Sequence, residues 1–307
     1  PSQPTPPEAV LSGTPTTAGA MAFTLQVIDE GQGHLLAQQA FIITISREPP
    51  LICPWGLGPD SDGDGVPDGT EANQGTDPFA KDNNIFGDPV GFIAQLYRDL
   101  LHREPDAAGL TNWLAALRTG QATRGGVIEG FYQSGEFQNG PGAIARLYQA
   151  ALNRTPDACE LAGGVAQWQQ GQALADIAKA LIASPAFLAQ GLADATAFIT
   201  ALHHHVFNRP PSPARLTYWL RQIEQGADWG DVLLAFTQTA PVGTALVHPV
   251  QVDFYYRGFL NRDPDAPGYA HWVQALNQTR DPGLVHEAFQ AASEYRYRVL
   301  GPAGLIR

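Results

Sequence analysis

Asp60, Asp62, Asp64, Asp68 and Glu71 occupy the first, third, fifth, ninth and twelfth places of the stretch D-S-D-G-D-G-V-P-D-G-T-E, with Gly65 at the sixth. That spacing turns alternate side chains to one side, and the glycine permits the sharp turn that brings the two ends together. Carboxylates gathered this way repel one another unless a hard cation neutralises them, so the pattern is that of a calcium loop. Asp60, Asp62 and Asp64 would bind Ca2+ directly. Val66 would offer its backbone carbonyl, Asp68 would bind directly or through a water, and Glu71 would close the site with two oxygens. Asp77 and Asp82 stand where they could form a second, weaker ligand set. The competing reading is a solvated acidic linker.

Nothing else in the chain carries comparable chemistry. No G-x-S-x-G elbow, H-E-x-x-H pair or phosphate-binding loop is present, and the chain reads as a non-enzyme. His203, His204 and His205 are consecutive, so on a helix they point about 100° apart and cannot converge on one ion. His203 falls where the equivalent stretches carry tyrosine, which marks it as a packing residue. The formal charge of -12 and pI near 5.0 leave no basic patch for nucleic acid. No apolar run is long enough to span a bilayer. Cys53 and Cys159 are compatible with one disulfide in an oxidising compartment or with two buried thiols.

Three segments position these residues. Residues 1–48 carry two β-forming runs, Ala22 to Val27 and Phe41 to Ile45, after a turn-rich approach. Residues 49–87 hold the acidic loop, which prolines and glycines keep free of a long preceding helix. Residues 88–307 repeat themselves four times, about 88–139, 140–190, 191–244 and 245–307. Arg103, Arg154, Arg209 and Arg262 recur at intervals of 51, 55 and 53 residues, each after an amphipathic stretch and before a Pro-Asp or Pro-Ser pair. In the first copy Phe92, Leu96 and Leu100 form one stripe, with Ile93, Tyr97 and Leu101 beside it. Pro105 would end that helix and Asp106 would cap the next, whose buried face is Leu110, Trp113, Leu114 and Leu117.

The loop, followed by Gly75-Thr76-Asp77-Pro78, resembles the thrombospondin type-three repeat of bacterial surface proteins. Leu11 to Ile45, with L-S-G-T-P-T-T-A-G and F-T-L-Q-V-I-D, resembles the second half of an immunoglobulin-like domain of such proteins. The repeated L-Y-R-x-x-L-x-R-x-P-D-x-x-G-L-x-x-W pattern resembles a helical repeat family of undefined function found in secreted, surface-layer-like and haemolysin-type calcium-binding proteins.

These readings together predict a mainly α chain with a small β segment: immunoglobulin-like strands, a calcium-binding linker, then a four-copy α-helical repeat array. Three or four strands make an incomplete sandwich. Three explanations stand open: cleavage from a longer precursor, completion by strand addition from a neighbouring subunit, or a small sheet packed on its own. The function expected is that of an extracellular structural protein, a calcium-stabilised subunit of a bacterial surface filament, layer or matrix that self-associates into a homopolymer. The alternative is an adhesin that binds cell-surface glycan through repeat aromatics. Trp113, Trp219 and Trp272 separate the two, since buried they are core and in an exposed row they would stack on sugars.

Overall fold

The computed structural model describes residues 19–28, 35–45, 57–260, 262–279 and 282–301. The chain divides into two compact units, Pro1–Pro49 and Pro50–Arg307. In the first, β1 (Gly19–Ile28) runs antiparallel to β2 (Leu35–Ile45), with Phe23 opposite Phe41 and a register irregularity between Val27 and Ile28.

This corrects the immunoglobulin-like expectation. The described strands form one two-stranded hairpin with no second sheet, and the rest of the described fold is all-α. Alternating β-branched residues specify a strand locally, but a sandwich needs about seven such runs. Residues 1–18, which carry the turn-rich approach, lie outside the described residues, as does Cys53.

The acidic loop belongs to the second unit rather than to a free linker. It leads into α1 (Asp68–Gln74), and the chain then builds four successive helix groups. The first holds α2 (Pro89–Leu101), α3 (Ala107–Arg118), α4 (Arg124–Gln133) and α5 (Gly135–Asn139). The second holds α6 (Pro141–Leu152), α7 (Ala158–Gln169), α8 (Leu174–Ile182) and α9 (Pro185–Leu188). The third holds α10 (Ala195–Phe207), α11 (Pro213–Glu224) and α12 (Trp229–Thr237). The fourth holds α13 (Ala240–Leu260), α14 (Ala266–Thr279), α15 (Pro282–Ala291) and α16 (Ser293–Leu300).

Local chemistry sets each junction. His102, Asn153 and Asn208 end α2, α6 and α10 in the left-handed region, at φ 52°, 53° and 51°, and so turn the chain just before Arg103, Arg154 and Arg209. The next helix then starts on a capped end. Asp106 accepts from the Gly109 N–H, Asp157 forms a reciprocal capping box with Glu160, Ser212 accepts from Arg215, and Asp265 accepts from Gly268.

The Phe92, Leu96, Leu100 stripe and its neighbours Ile93, Tyr97 and Leu101 are buried, as their spacing predicts. The second helix departs from expectation. Leu110, Trp113, Leu114 and Leu117 on α3 are only half-buried, because α3 lies on the outside against α2 and α4.

The helix groups also pack out of sequence order. α2 lies against α13 and α4 against α15, while α6 lies against α10 and α8 against α12. The first group therefore pairs with the last through equivalent helices, and the second pairs with the third in the same way. In an open solenoid each repeat touches only its sequence neighbours. Here the last group closes back on the first, and one shared core results.

Candidate metal centre

Positive-φ glycines make the loop possible: Gly63 has φ 74° and Gly65 has φ 97°, conformations a side chain disfavours. Between them each aspartate fastens the backbone ahead of it. Asp60 accepts from the N–H groups of Gly63 (2.8 Å) and Gly65 (3.0 Å), Asp62 from Asp64 (2.9 Å) and Asp64 from Val66 (2.9 Å). The second oxygen of Asp64 reaches forward to the N–H groups of Asp82 (3.2 Å) and Asn83 (3.0 Å). Asn83 in turn donates to the Asp64 carbonyl and to Gln95 on α2, which buttresses the loop against the helical body.

Two carboxylate groups result, Asp60–Asp62–Asp64 and Asp64–Glu71–Asp82, each with ligand oxygens within 4.8 Å of one another and with Asp64 in common. Asp64 and Glu71 are wholly buried and Asp62 nearly so. The Asp62 Oδ2 and both Glu71 carboxylate oxygens are buried without any hydrogen-bond partner. Burial pushes the Asp62 carboxyl up to about 6, with the charges of Asp64 and Asp60 adding to it while the Asp64 N–H and Lys81 oppose. Glu71 is raised to about 7 by burial first and then by Asp64, Asp62, Asp82 and Asp60. Asp64 is raised by burial, with Asp60 adding and the bonds from Val66, Asp82 and Asn83 opposing. Orphaned, buried, oxygen-only donors crowded to the point of mutual repulsion fit a hard divalent cation.

The structure sorts the sequence-predicted ligands. Asp60, Asp62, Asp64 and Glu71 converge. Val66 is buried with its N–H on Asp64. Asp68 stands outside both groups, because its two oxygens accept from the Ser61 N–H and hydroxyl, each at 2.7 Å. Asp82 falls with Asp64 and Glu71 in the second of the two carboxylate groups, which shares Asp64 with the first. Asp77 makes a local turn by accepting from Phe79. Asn83 and Lys81 carried no signal in the spacing. Lys81, whose pKa burial lowers against the pull of Asp62, Asp60 and Asp64, lies beside Gly63.

Elsewhere the candidate residues serve packing. Arg103 forks onto Glu136 (2.6 and 2.8 Å) with its guanidinium 4.7 Å from the Tyr97 ring, and Arg262 does the same with Glu294 and Tyr256. Arg154 pairs with Glu160 and lies over Tyr148. His203 packs between Phe207 and Phe236, while His205 Nδ1 meets the Ala150 carbonyl, so the three histidines do not converge. Trp219 is buried, Trp113 stacks on Phe131 at 5.3 Å and Trp272 lies 5.4 Å from Phe289. No row of exposed tryptophans exists among the described residues. Cys159 on α7 is disulfide-bonded, and Cys53 is the only other cysteine in the chain.

Residues 60–81 match the bacterial TSP3 repeat. Residues 87–140 and 178–243 match a domain of unknown function, DUF4214. No curated protein and no solved structure matches the chain. The matches cover the acidic loop and the Arg103 and Arg209 junctions, and they support a module like those of bacterial surface proteins. The TSP3 repeat is of a calcium-binding type. No described helix is long and apolar enough to cross a membrane.

Proposed function

We propose that this chain is an extracellular structural protein whose acidic loop binds calcium and whose helical body is four copies of one repeat. It serves as a subunit of a bacterial surface filament, layer or matrix. The observation that carries the reading is the trio of buried, partnerless oxygens on Asp62 and Glu71 inside a wholly carboxylate cluster. Unneutralised, such a cluster works against the fold; with a divalent cation it becomes a cross-link between loop, α1 and the segment at Asp82. Extracellular modules of this kind bind at roughly 0.1 to 1 mM. At millimolar calcium the tighter end of that range stabilises the bound form by about 1.4 kcal/mol. Such a site is filled outside the cell and needs no signal.

Self-association is the second half of the proposal. Among the described residues β1 and β2 pair only with each other, and a strand of another copy added to this pair would link subunits. The inward packing of Trp113, Trp219 and Trp272 weighs against a sugar-stacking adhesin built on the repeats.

Negative-stain electron microscopy of the intact chain, in calcium and after chelation, tests this reading. Regular filaments or sheets that dissolve on chelation are expected. Monodisperse particles under both conditions would refute the assembly role. Deleting residues 1–48 should abolish polymers while the helical unit stays folded.

A further inference from the structure

A cavity of about 440 Å³ opens between α4, α5, α6 and the α12–α13 turn, within the size range of small-molecule sites. Arg146 on α6 lines it. The guanidinium donates to the Gln138 side chain (3.0 Å) and to the Gln138 carbonyl (2.6 Å), which occupies two of its five N–H groups. Burial lowers its pKa with no acidic neighbour pulling the other way. Glu129, on another wall, accepts from the amides of Gln133 and Gln251 rather than from a cation. The cavity therefore combines one uncompensated guanidinium, one carboxylate and several amides with the apolar side chains of Phe137 and Val250 in its lining.

We propose that this cavity binds an acidic sugar, a uronate-type ring whose carboxylate takes the N–H groups of Arg146 not used by Gln138 and whose hydroxyls meet Glu129 and the amide-lined wall. A single planar carboxylate matches a single guanidinium fork. The Glu129 carboxylate, a good acceptor for ring hydroxyls, repels a second negative charge, which selects against a dianionic phosphate. The mixture of donors and acceptors suits a polyhydroxylated ligand, and the Phe137 and Val250 side chains suit the C–H face of a ring. This mode is distinct from stacking on tryptophan, and it does not depend on the calcium loop or on assembly.

The test is calorimetric titration of the whole chain in calcium with digalacturonate and with its neutral counterpart galactobiose. Digalacturonate should bind about tenfold or more tightly than galactobiose, since a charge-assisted fork is the main difference between them. Arg146→Ala should remove that preference. Because Arg146 also holds the Gln138 carbonyl, Arg146→Lys and Gln238→Ala, the latter at an exposed residue of the cavity lining, provide variants less prone to unfolding. Both should weaken digalacturonate binding several-fold with an unchanged melting temperature. Equal binding of the two sugars, no binding of either, or unchanged affinity in Arg146→Lys and Gln238→Ala would each overturn the proposal. So would binding that survives both variants but vanishes on chelation, since that would place the uronate on the acidic loop.

Discussion

A Cβ added to Gly65 would lie 2.7 Å from Nη2 of Arg298, a residue on α16, the last of the described helices. It would also run into the Gln95 side chain on α2. Arg298 is itself anchored, donating to the carbonyls of Gly258 and Phe259 at the end of α13 and lying 3.5 Å from Asp99 on α2. Gln95 donates to the same Asp99 at 2.7 Å and accepts from Asn83. The acidic loop is thus seated where the first and last helix groups meet.

Gly65→Ala should consequently do more damage than backbone strain alone. At φ 97° the left-handed conformation costs a side chain roughly 1–2 kcal/mol. Displacing Gln95 and Arg298 should bring the total to about 2–4 kcal/mol, in the range of overpacking plus strain. Gly120→Ala is the control, since Gly120 has φ 71° and open space around it, and it should show the strain cost only. Urea denaturation in saturating calcium measures both. Equal losses would mean that the contact with Arg298 is slack.

The ligand set makes an ordered prediction. Asp62→Asn and Glu71→Gln, which alter buried partnerless oxygens, should weaken calcium binding by about tenfold or more, or ~1.4 kcal/mol each. Asp82→Asn should weaken it as well, because Asp82 shares a group with Asp64 and Glu71. Asp68→Asn should mainly destabilise the loop, since both Asp68 oxygens are taken by Ser61. Calcium titration of the melting temperature separates the four. An Asp68→Asn midpoint shifted as far as that of Glu71→Gln would return Asp68 to the ligand set.

The same carboxyls set a pH dependence whose sign depends on calcium. In calcium-depleted protein the Asp62 and Glu71 carboxyls are raised to about 6 and about 7, chiefly by burial. A group with a raised folded-state pKa contributes stability that is complete below its unfolded value and is lost as pH rises through the folded value. Calcium-depleted protein should therefore lose stability between about pH 4 and 7. With calcium the cation displaces those protons, so its stabilising effect should grow over the same interval. Glu71→Gln should flatten the upper part of both trends. Melting temperatures at pH 5 and pH 8, with and without calcium, decide it, and a calcium effect larger at pH 5 would contradict the assignment.

How much of this was legible depends on how local each signal is. The acidic loop and the helix starts at Asp106, Asp157 and Asp265 follow from neighbouring residues, and spacing alone reveals them. The buried stripe through Phe92, Leu96 and Leu100 is equally local. Asp82 is different, because it joins the cluster only when the chain bends to put its N–H on Asp64, a contact made across eighteen residues. Asp68 sits at a ligand position in the pattern, yet Ser61 claims it, and the pattern says nothing of that rival donor. The runs at Phe23 and Phe41 read the same in a hairpin as in a sandwich, since alternation fixes a strand and not the number of its neighbours. Closure of α13 onto α2 leaves no periodic trace in either helix.

Two glycines in equivalent places should reverse the usual effect of a helical Gly→Ala change. In an exposed helix interior that change gains up to about 1 kcal/mol. Gly109 on α3 and Gly268 on α14 face the hydroxyls of Tyr97 and Tyr256, and a Cβ on either would overlap its tyrosine. Those tyrosines carry the guanidinium groups of Arg103 and Arg262, so a shift of the ring disturbs the pairs with Glu136 and Glu294 as well. Gly109→Ala and Gly268→Ala should each destabilise by about 1–3 kcal/mol. Gly243→Ala on α13, with nothing within 4 Å of the added carbon, should be neutral or stabilising. Chemical denaturation of the three variants provides the comparison. Stabilisation by Gly109→Ala would show that Tyr97 is free to move aside, and that the glycine of this pattern is not held there by the ring.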